Sequence, residues 1–143
     1  MIVTFPDGTR LRASSLLARD AVAVQPGFGL YLDRRWRPSW PSEFVEWEDF
    51  GTPSDPPRAA GQIRSAFARA VGGEEVEVGC FAGLGRTGTV LARMAVLAGV
   101  PSEHAVAWVR AHYDPDAVET EAQERWVLWF AAAAAQGTDA PVG

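Results

Sequence analysis

Neither lysine nor asparagine occurs in the 143 residues, so all thirteen basic side chains are arginine. They face eighteen carboxylates, giving a formal charge of −5 at pH 7. A chain without a basic surplus lacks the electrostatic footprint of a nucleic-acid binder. Cysteine is down to one, Cys80, which excludes an internal disulfide and suits a reducing, cytoplasmic compartment. With only His104 and His112 beside that thiol, a structural Cys/His zinc site lacks its ligands. Long apolar runs are missing too. Trp126–Ala135 is too short to span a bilayer, and Thr87–Val100 contains Arg93, so no membrane span is expected. Met1 to Asp7 shows no basic stretch leading into an apolar core, so no signal peptide is expected. What is present, 48% hydrophobic and 22% charged residues, is the composition of a folded globular domain. The Arg and Ala bias fits a GC-rich genome of bacterial type.

One domain is expected over 1–136, with a frayed tail at 137–143. Ile2–Leu11 reads as two short strands around the turn Pro6-Asp7-Gly8. Gly29–Leu32 and Glu43–Trp47 read as strands on either side of a Pro- and Arg-rich loop, and Asp49–Arg58 as a further loop. Ala59–Val71 carries Ile63, Phe67 and Ala70 at helical spacing before Gly72-Gly73. Glu75–Val78 alternates like a half-buried strand, and Val90–Ala98 is an apolar helix. Pro101 opens another helix at a first-turn position, ending near Ala111. Glu119–Ala135 is the last, with Ala122, Trp126 and Phe130 on one face. Strands followed by strand–loop–helix and then helices predict an α/β domain with a small sheet.

Between strand and helix lies Gly79-Cys80-Phe81-Ala82-Gly83-Leu84-Gly85-Arg86-Thr87-Gly88. A helix N-terminus offers unpaired amides and the positive end of a dipole, which together attract anions. Gly83 and Gly85 let the backbone curl so that successive amides point inward as a nest for a tetrahedral oxyanion. Arg86 adds a bidentate fork that lysine cannot supply. A thiol at the floor of such a cradle is favoured as thiolate, and a nucleophile facing an oxyanion cradle is arranged for phosphoryl transfer.

This segment resembles the Cys-x5-Arg-Ser/Thr signature of the cysteine-dependent protein tyrosine and dual-specificity phosphatases, including its internal Ala-Gly-x-Gly. The resemblance implies a small central mixed sheet flanked by helices, phosphotyrosine phosphatase-like. It implies that Cys80 forms a cysteinyl-phosphate and that Arg86 with the amides of Phe81, Ala82, Gly83, Leu84, Gly85 and Arg86 holds the phosphoryl oxygens. Thr87 would help the thiolate leave. Trp47-Glu48-Asp49-Phe50-Gly51-Thr52-Pro53 is similar to the family's Trp-Pro-Asp loop, which makes Asp49 the general acid. Glu119-Thr120-Glu121-Ala122-Gln123 resembles the family's Gln-Thr-x-x-Gln segment and points to Gln123 for positioning water. Three departures stand out. Gly79 replaces the usual histidine and removes a hydrogen-bonding contributor to the loop, so a smaller thiolate fraction is expected than in His-bearing relatives. Glu48 replaces the loop proline, and Glu119 stands where the first glutamine belongs. No metal or cofactor is expected, because Arg86 and backbone amides supply the electrostatics. The implied partner is a phosphorylated protein or small phosphomonoester, and the apolar Phe81, Ala82 and Leu84 favour a phosphoprotein.

Other readings compete at each point. A lone cysteine at a strand end is often a small buried hydrophobe. Gly83-Leu84-Gly85-Arg86-Thr87-Gly88 also fits a dinucleotide fingerprint, but no strand follows the helix, and a Walker loop would need lysine at 86. Asp55 rivals Asp49 as acid, whereas Asp114 before Pro115 reads as a turn residue. The cluster Arg34-Arg35-Trp36-Arg37 is either a solvated loop or a guide for anionic substrates, and Trp36 and Trp40 either serve the core or line the pocket rim. His104 and His112 share a helix without a third ligand. From other functional classes, a non-catalytic phosphate-binding module and a rhodanese-like sulfurtransferase use similar loops.

Overall fold

Period-two alternation decides which way each strand faces. The computed structural model describes residues 1–18 and 24–135. Among the described residues, strands β1 (Ile2–Thr4), β2 (Arg10–Ser15), β3 (Phe28–Tyr31), β4 (Ser42–Phe44) and β5 (Val76–Cys80) form one sheet in the order β1-β2-β5-β3-β4. Only β1 runs antiparallel to its neighbour β2; the remaining pairs are parallel. Leu11, Ala13, Leu30, Val76, Val78 and Cys80 fall on one face and join the main apolar core. Helices α1 (Pro56–Val71) and α2 (Gly85–Leu97) supply Ile63, Phe67, Leu91 and Met94 to that core. Helices α3 (Ser102–His112) and α4 (Glu121–Ala135) complete the fold, giving a mixed α/β architecture.

The opposite face carries Arg12, Ser14, Gly29, Tyr31, Glu77 and Gly79, and it is polar and aromatic. Glu77 is fully buried there. It accepts hydrogen bonds from Arg12 Nε at 2.9 Å and from Ser14 Oγ and Tyr31 Oη at 2.6 Å each. Buried on both faces, β5 has the surroundings of a central parallel strand.

Local chemistry sets the helix ends. Asp55 caps α1 by accepting from the Arg58 amide at 3.2 Å, and Pro56 and Pro57 occupy its first positions. The helix therefore starts earlier than Ala59. Likewise α2 begins at Gly85, not Val90, because its first turn holds the glycines of the signature. Pro101 caps α3 from outside instead of opening it. Glu43–Trp47 is strand only to Phe44; Trp47 leaves the sheet and bridges to Pro53. The Phe130 side chain and the tail at 137–143 lie outside the described residues. No helix among the described residues is long and apolar enough to cross a membrane.

Candidate active site

Cys80 ends β5 at the carboxyl edge of the parallel strands, where sheets of this kind open toward ligands. The backbone around it is held from both neighbouring strands. Leu32 N donates to Gly79 O at 2.9 Å, Leu16 N to Cys80 O at 3.0 Å and Leu17 N to Phe81 O at 3.2 Å. The chain then turns at Gly83, whose φ of +81° is a left-handed conformation. A methyl group there would also meet Ser15 Cβ at 2.9 Å. This turn aims the Gly83 amide at the buried Cys80 Sγ, 3.1 Å away. Tyr113 Oη donates to Gly83 O. Burial, then the charges of Cys80 and Asp114, push the Tyr113 phenol up to about 12, so it stays a donor. The N-cap residue of α2, Leu84, makes no side-chain cap bond and the first turn has no acidic residue, so the helix start keeps its positive end toward the cradle. In that turn Thr87 Oγ1 is buried without a hydrogen-bond partner.

Arg86 is 3% exposed and its guanidinium is fixed by three acceptors. Nη1 donates to Leu32 O at 2.8 Å and Trp47 O at 3.0 Å, and Nη2 donates to Asp33 Oδ2 at 3.0 Å. Of its five N–H groups, Nε–H and one on Nη2 are left over. Nε makes no hydrogen bond, and 3.6 Å from it lies Asp49 Oδ1. Asp33 also accepts from Arg35 Nε at 2.8 Å, Arg35 Nη2 at 2.7 Å and the Arg35 amide at 2.9 Å. These bonds, the Arg35 side chain foremost and Arg86 after it, hold the Asp33 carboxyl well below the usual carboxylate range. Arg35 in turn lies over the Phe81 ring at 3.7 Å, so the cradle's apolar lip carries a cation.

The segment 47–53 is folded back on itself and pinned. Trp47 Nε1 and Gln123 Nε2 both donate to Gly51 O, at 2.7 and 3.0 Å. Gln123 Oε1 accepts from the Glu119 amide at 2.8 Å. Gln123 is thus fully buried and bridges this loop to the start of α4. Expected to face water, its amide is instead taken up by the backbone at both ends. The group of this segment that reaches the cradle is Glu119: a methyl on Gly85 would run into its Oε1. Burial and the charge of Asp49 push the Glu119 carboxyl up, against the Gly85 amide and Arg86, which favour its ionised form. Phe50, next to Asp49, is exposed and takes a φ of +64°, a strained value for an aromatic residue.

The structure therefore brings Cys80, Arg86, Thr87, Asp49 and the 81–86 backbone to one place. It leaves the rivals elsewhere: Asp55 caps α1, and Asp114 Oδ1 accepts from the Asp116 amide at 2.8 Å in a turn. His112 Nδ1 pairs with Trp108 O at 2.8 Å. Beside the cradle a cleft of about 400 Å³ is lined by Asp33, Arg35, Trp47, Asp49, Ser54 and Arg86. A larger groove, about 810 Å³, lies at the opposite ends of β2 and β5 and includes neither Cys80 nor Arg86. One contributor escaped the sequence reading: Asp33, which sits beside a run of arginines and is 6% exposed. Of the two readings for Trp36 the structure takes the core one, since it lies buried beneath Gly79 and not at a rim.

No protein-family model matches the chain. Two uncharacterized proteins of Methanocaldococcus jannaschii do. MJECL20 is 38% identical over 111 residues, spanning 69% of this chain and 72% of that protein. MJ0215 is 35% identical over 111 residues, spanning 69% and 67%. Among solved structures, Tk-PTP in its active form superposes with a TM-score of 0.72 at 23% identity, over 91% of this chain and 96% of that one. Human DUSP28 gives 0.71 at 15% identity, over 96% and 99%. Kinase associated phosphatase, with its catalytic-site cysteine replaced by serine, gives 0.75 at 15% identity, over 94% and 96%. The fold is that of the tyrosine and dual-specificity phosphatases.

Proposed function

We propose that this chain, which belongs to the same protein family as MJECL20 and MJ0215, is a phosphomonoester hydrolase that works through Cys80. One observation carries the reading: the Gly83 amide on Cys80 Sγ, with the open Nε of a fixed Arg86 3.6 Å from Asp49. In the first step the Cys80 thiolate attacks phosphorus, the ester P–O bond breaks, and Asp49 gives its proton to the departing oxygen. Arg86 and the amides of 81–86 take the equatorial oxygens, whose charge is stabilised without reorganisation. In the second step water attacks phosphorus, the S–P bond breaks, and the ionised Asp49 receives the proton, releasing phosphate. The buried hydroxyl of Thr87 donates to the departing sulfur. With Gln123 engaged on the backbone, orientation of that water falls to Glu119. The substrate class is a phosphoprotein or small phosphomonoester, and the free thiol suits a reducing, cytoplasmic setting.

The test is p-nitrophenyl phosphate hydrolysis by wild type, Cys80→Ser and Asp49→Ala, with EDTA present. EDTA-resistant turnover lost in Cys80→Ser supports the reading. Absence of turnover together with vanadate binding would overturn it in favour of a non-catalytic phosphate-binding module.

A further inference from the structure

Position 79 has no space for a side chain. A methyl group on Gly79 would lie 2.7 Å from Trp36 Cζ2 and 3.0 Å from Cε2. The indole fills that volume and turns its N–H to the Cys80 carbonyl, with Nε1 donating at 3.1 Å. Since Leu16 N donates to the same oxygen at 3.0 Å, both lone pairs of this carbonyl are used.

The indole is itself held. Trp36 is buried and stacks on Tyr31, with ring centroids 4.3 Å apart and planes 19° from parallel. Tyr31 Oη donates to Glu77 and accepts from Trp40 Nε1 at 2.8 Å. Trp36 belongs to the connection that follows β3, the segment whose Leu32 carbonyl and Asp33 carboxylate fix Arg86.

We propose that Trp36 is the positioning residue for the nucleophile: from the β3–β4 connection its N–H fixes the Cys80–Phe81 peptide, supplying from outside the loop the support that a side chain at position 79 would otherwise give. The physical route is short. The Cys80 carbonyl and the Phe81 N–H belong to one peptide unit. A donor on the carbonyl holds that plane and polarises it, so the Phe81 amide becomes a stronger donor within the cradle. The same donor offsets the carbonyl's negative end close to the sulfur. Gly79 and Trp36 are then one device, and the smaller thiolate fraction expected from Gly79 alone is not what the pair produces. This inference rests on the phosphatase reading for its consequence in turnover, but not for its effect on the thiol.

The test compares wild type with Trp36→Phe and with a protein carrying 3-benzothienylalanine in place of Trp36, which keeps the bicyclic shape and deletes only the N–H. Iodoacetamide alkylation of Cys80 at about pH 6 is expected to slow about threefold to tenfold in both, the worth of one hydrogen bond. The pH profile of alkylation is expected to move to higher pH in both variants, approaching the wild-type rate in strong alkali. The turnover number for p-nitrophenyl phosphate should fall in parallel. Should Trp36→Phe fail to fold, the benzothienyl protein decides. Wild-type alkylation rates in that protein would overturn the proposal. If wild type hydrolyses no phosphomonoester while the N–H deletion still slows alkylation, the functional reading fails and the positioning role stands.

Discussion

Asp33 holds two guanidinium groups at once, and that makes it the pivot of the site's charge. Its carboxyl, held below the ordinary range by Arg35 and then Arg86, adds stability that is fully present above the unfolded carboxylate's value, about pH 4. That contribution is lost as pH falls through the lower folded value. Asp33→Asn should therefore lower the urea midpoint at neutral pH, and the deficit should shrink in strong acid. It should also reduce kcat/KM about tenfold or more by freeing Arg86 from its fixed pose. Glu119 shows the reverse sign. Its folded value is raised, by burial first and Asp49 next, so ionising Glu119 costs more in the folded site than in the unfolded chain. Glu119→Gln should bind vanadate severalfold more tightly at about pH 7.5, with the gap closing in acid as wild-type Glu119 protonates. Equal affinity for both proteins across that range would remove Glu119 from the cradle. Cys80, Arg86 and the intervening glycines were legible because one spacing carries their chemistry. Asp33 was not, since only the fold brings it to Arg86, 53 positions away.

Among the elements, the pinned loop 47–53 and the start of α2 matter most. Gln123 and Trp47 converge on the Gly51 carbonyl and so set where Asp49 stands. Gln123→Ala should loosen the loop without emptying the cradle. The expected result is a loss of about tenfold in kcat for phosphotyrosine, whose leaving group needs a proton, and a smaller loss for p-nitrophenyl phosphate. Equal losses for both would mean that Gln123 has no part in placing Asp49. Most elements could be read from the sequence because apolar spacing is regular in α1, residues alternate in β5, and the turn Pro6-Asp7-Gly8 and Pro101 mark β1, β2 and α3. Boundaries were misjudged where special residues intervene. The prolines at 56 and 57 begin α1 early, and the signature glycines disguise the first turn of α2. Trp47 leaves β4 for its own bridge to Pro53. Alternation in β5 correctly indicated a strand, but not that Glu77 points into a buried polar layer; a charged residue in a short strand reads as solvent-facing.

For the molecule as a whole, that layer joins stability to the site. Glu77 accepts from Arg12, Ser14 and Tyr31, and Tyr31 carries the ring that Trp36 stacks on. Glu77→Gln weakens charge-assisted bonds in a buried setting and should cost about 1–3 kcal/mol, read as a lower midpoint in chemical unfolding. The apolar face and the phosphatase-like fold account for how β5 and α2 present Cys80, but a shared fold leaves chemistry to be shown at the site. The most direct measurement is a rapid-quench reaction with a radiolabelled phosphomonoester, followed by mass analysis of the peptide containing Cys80. The account predicts one phosphoryl group per chain on Cys80 at early times, absent in Cys80→Ser. Turnover with no label on Cys80, or a label on another residue, would contradict it.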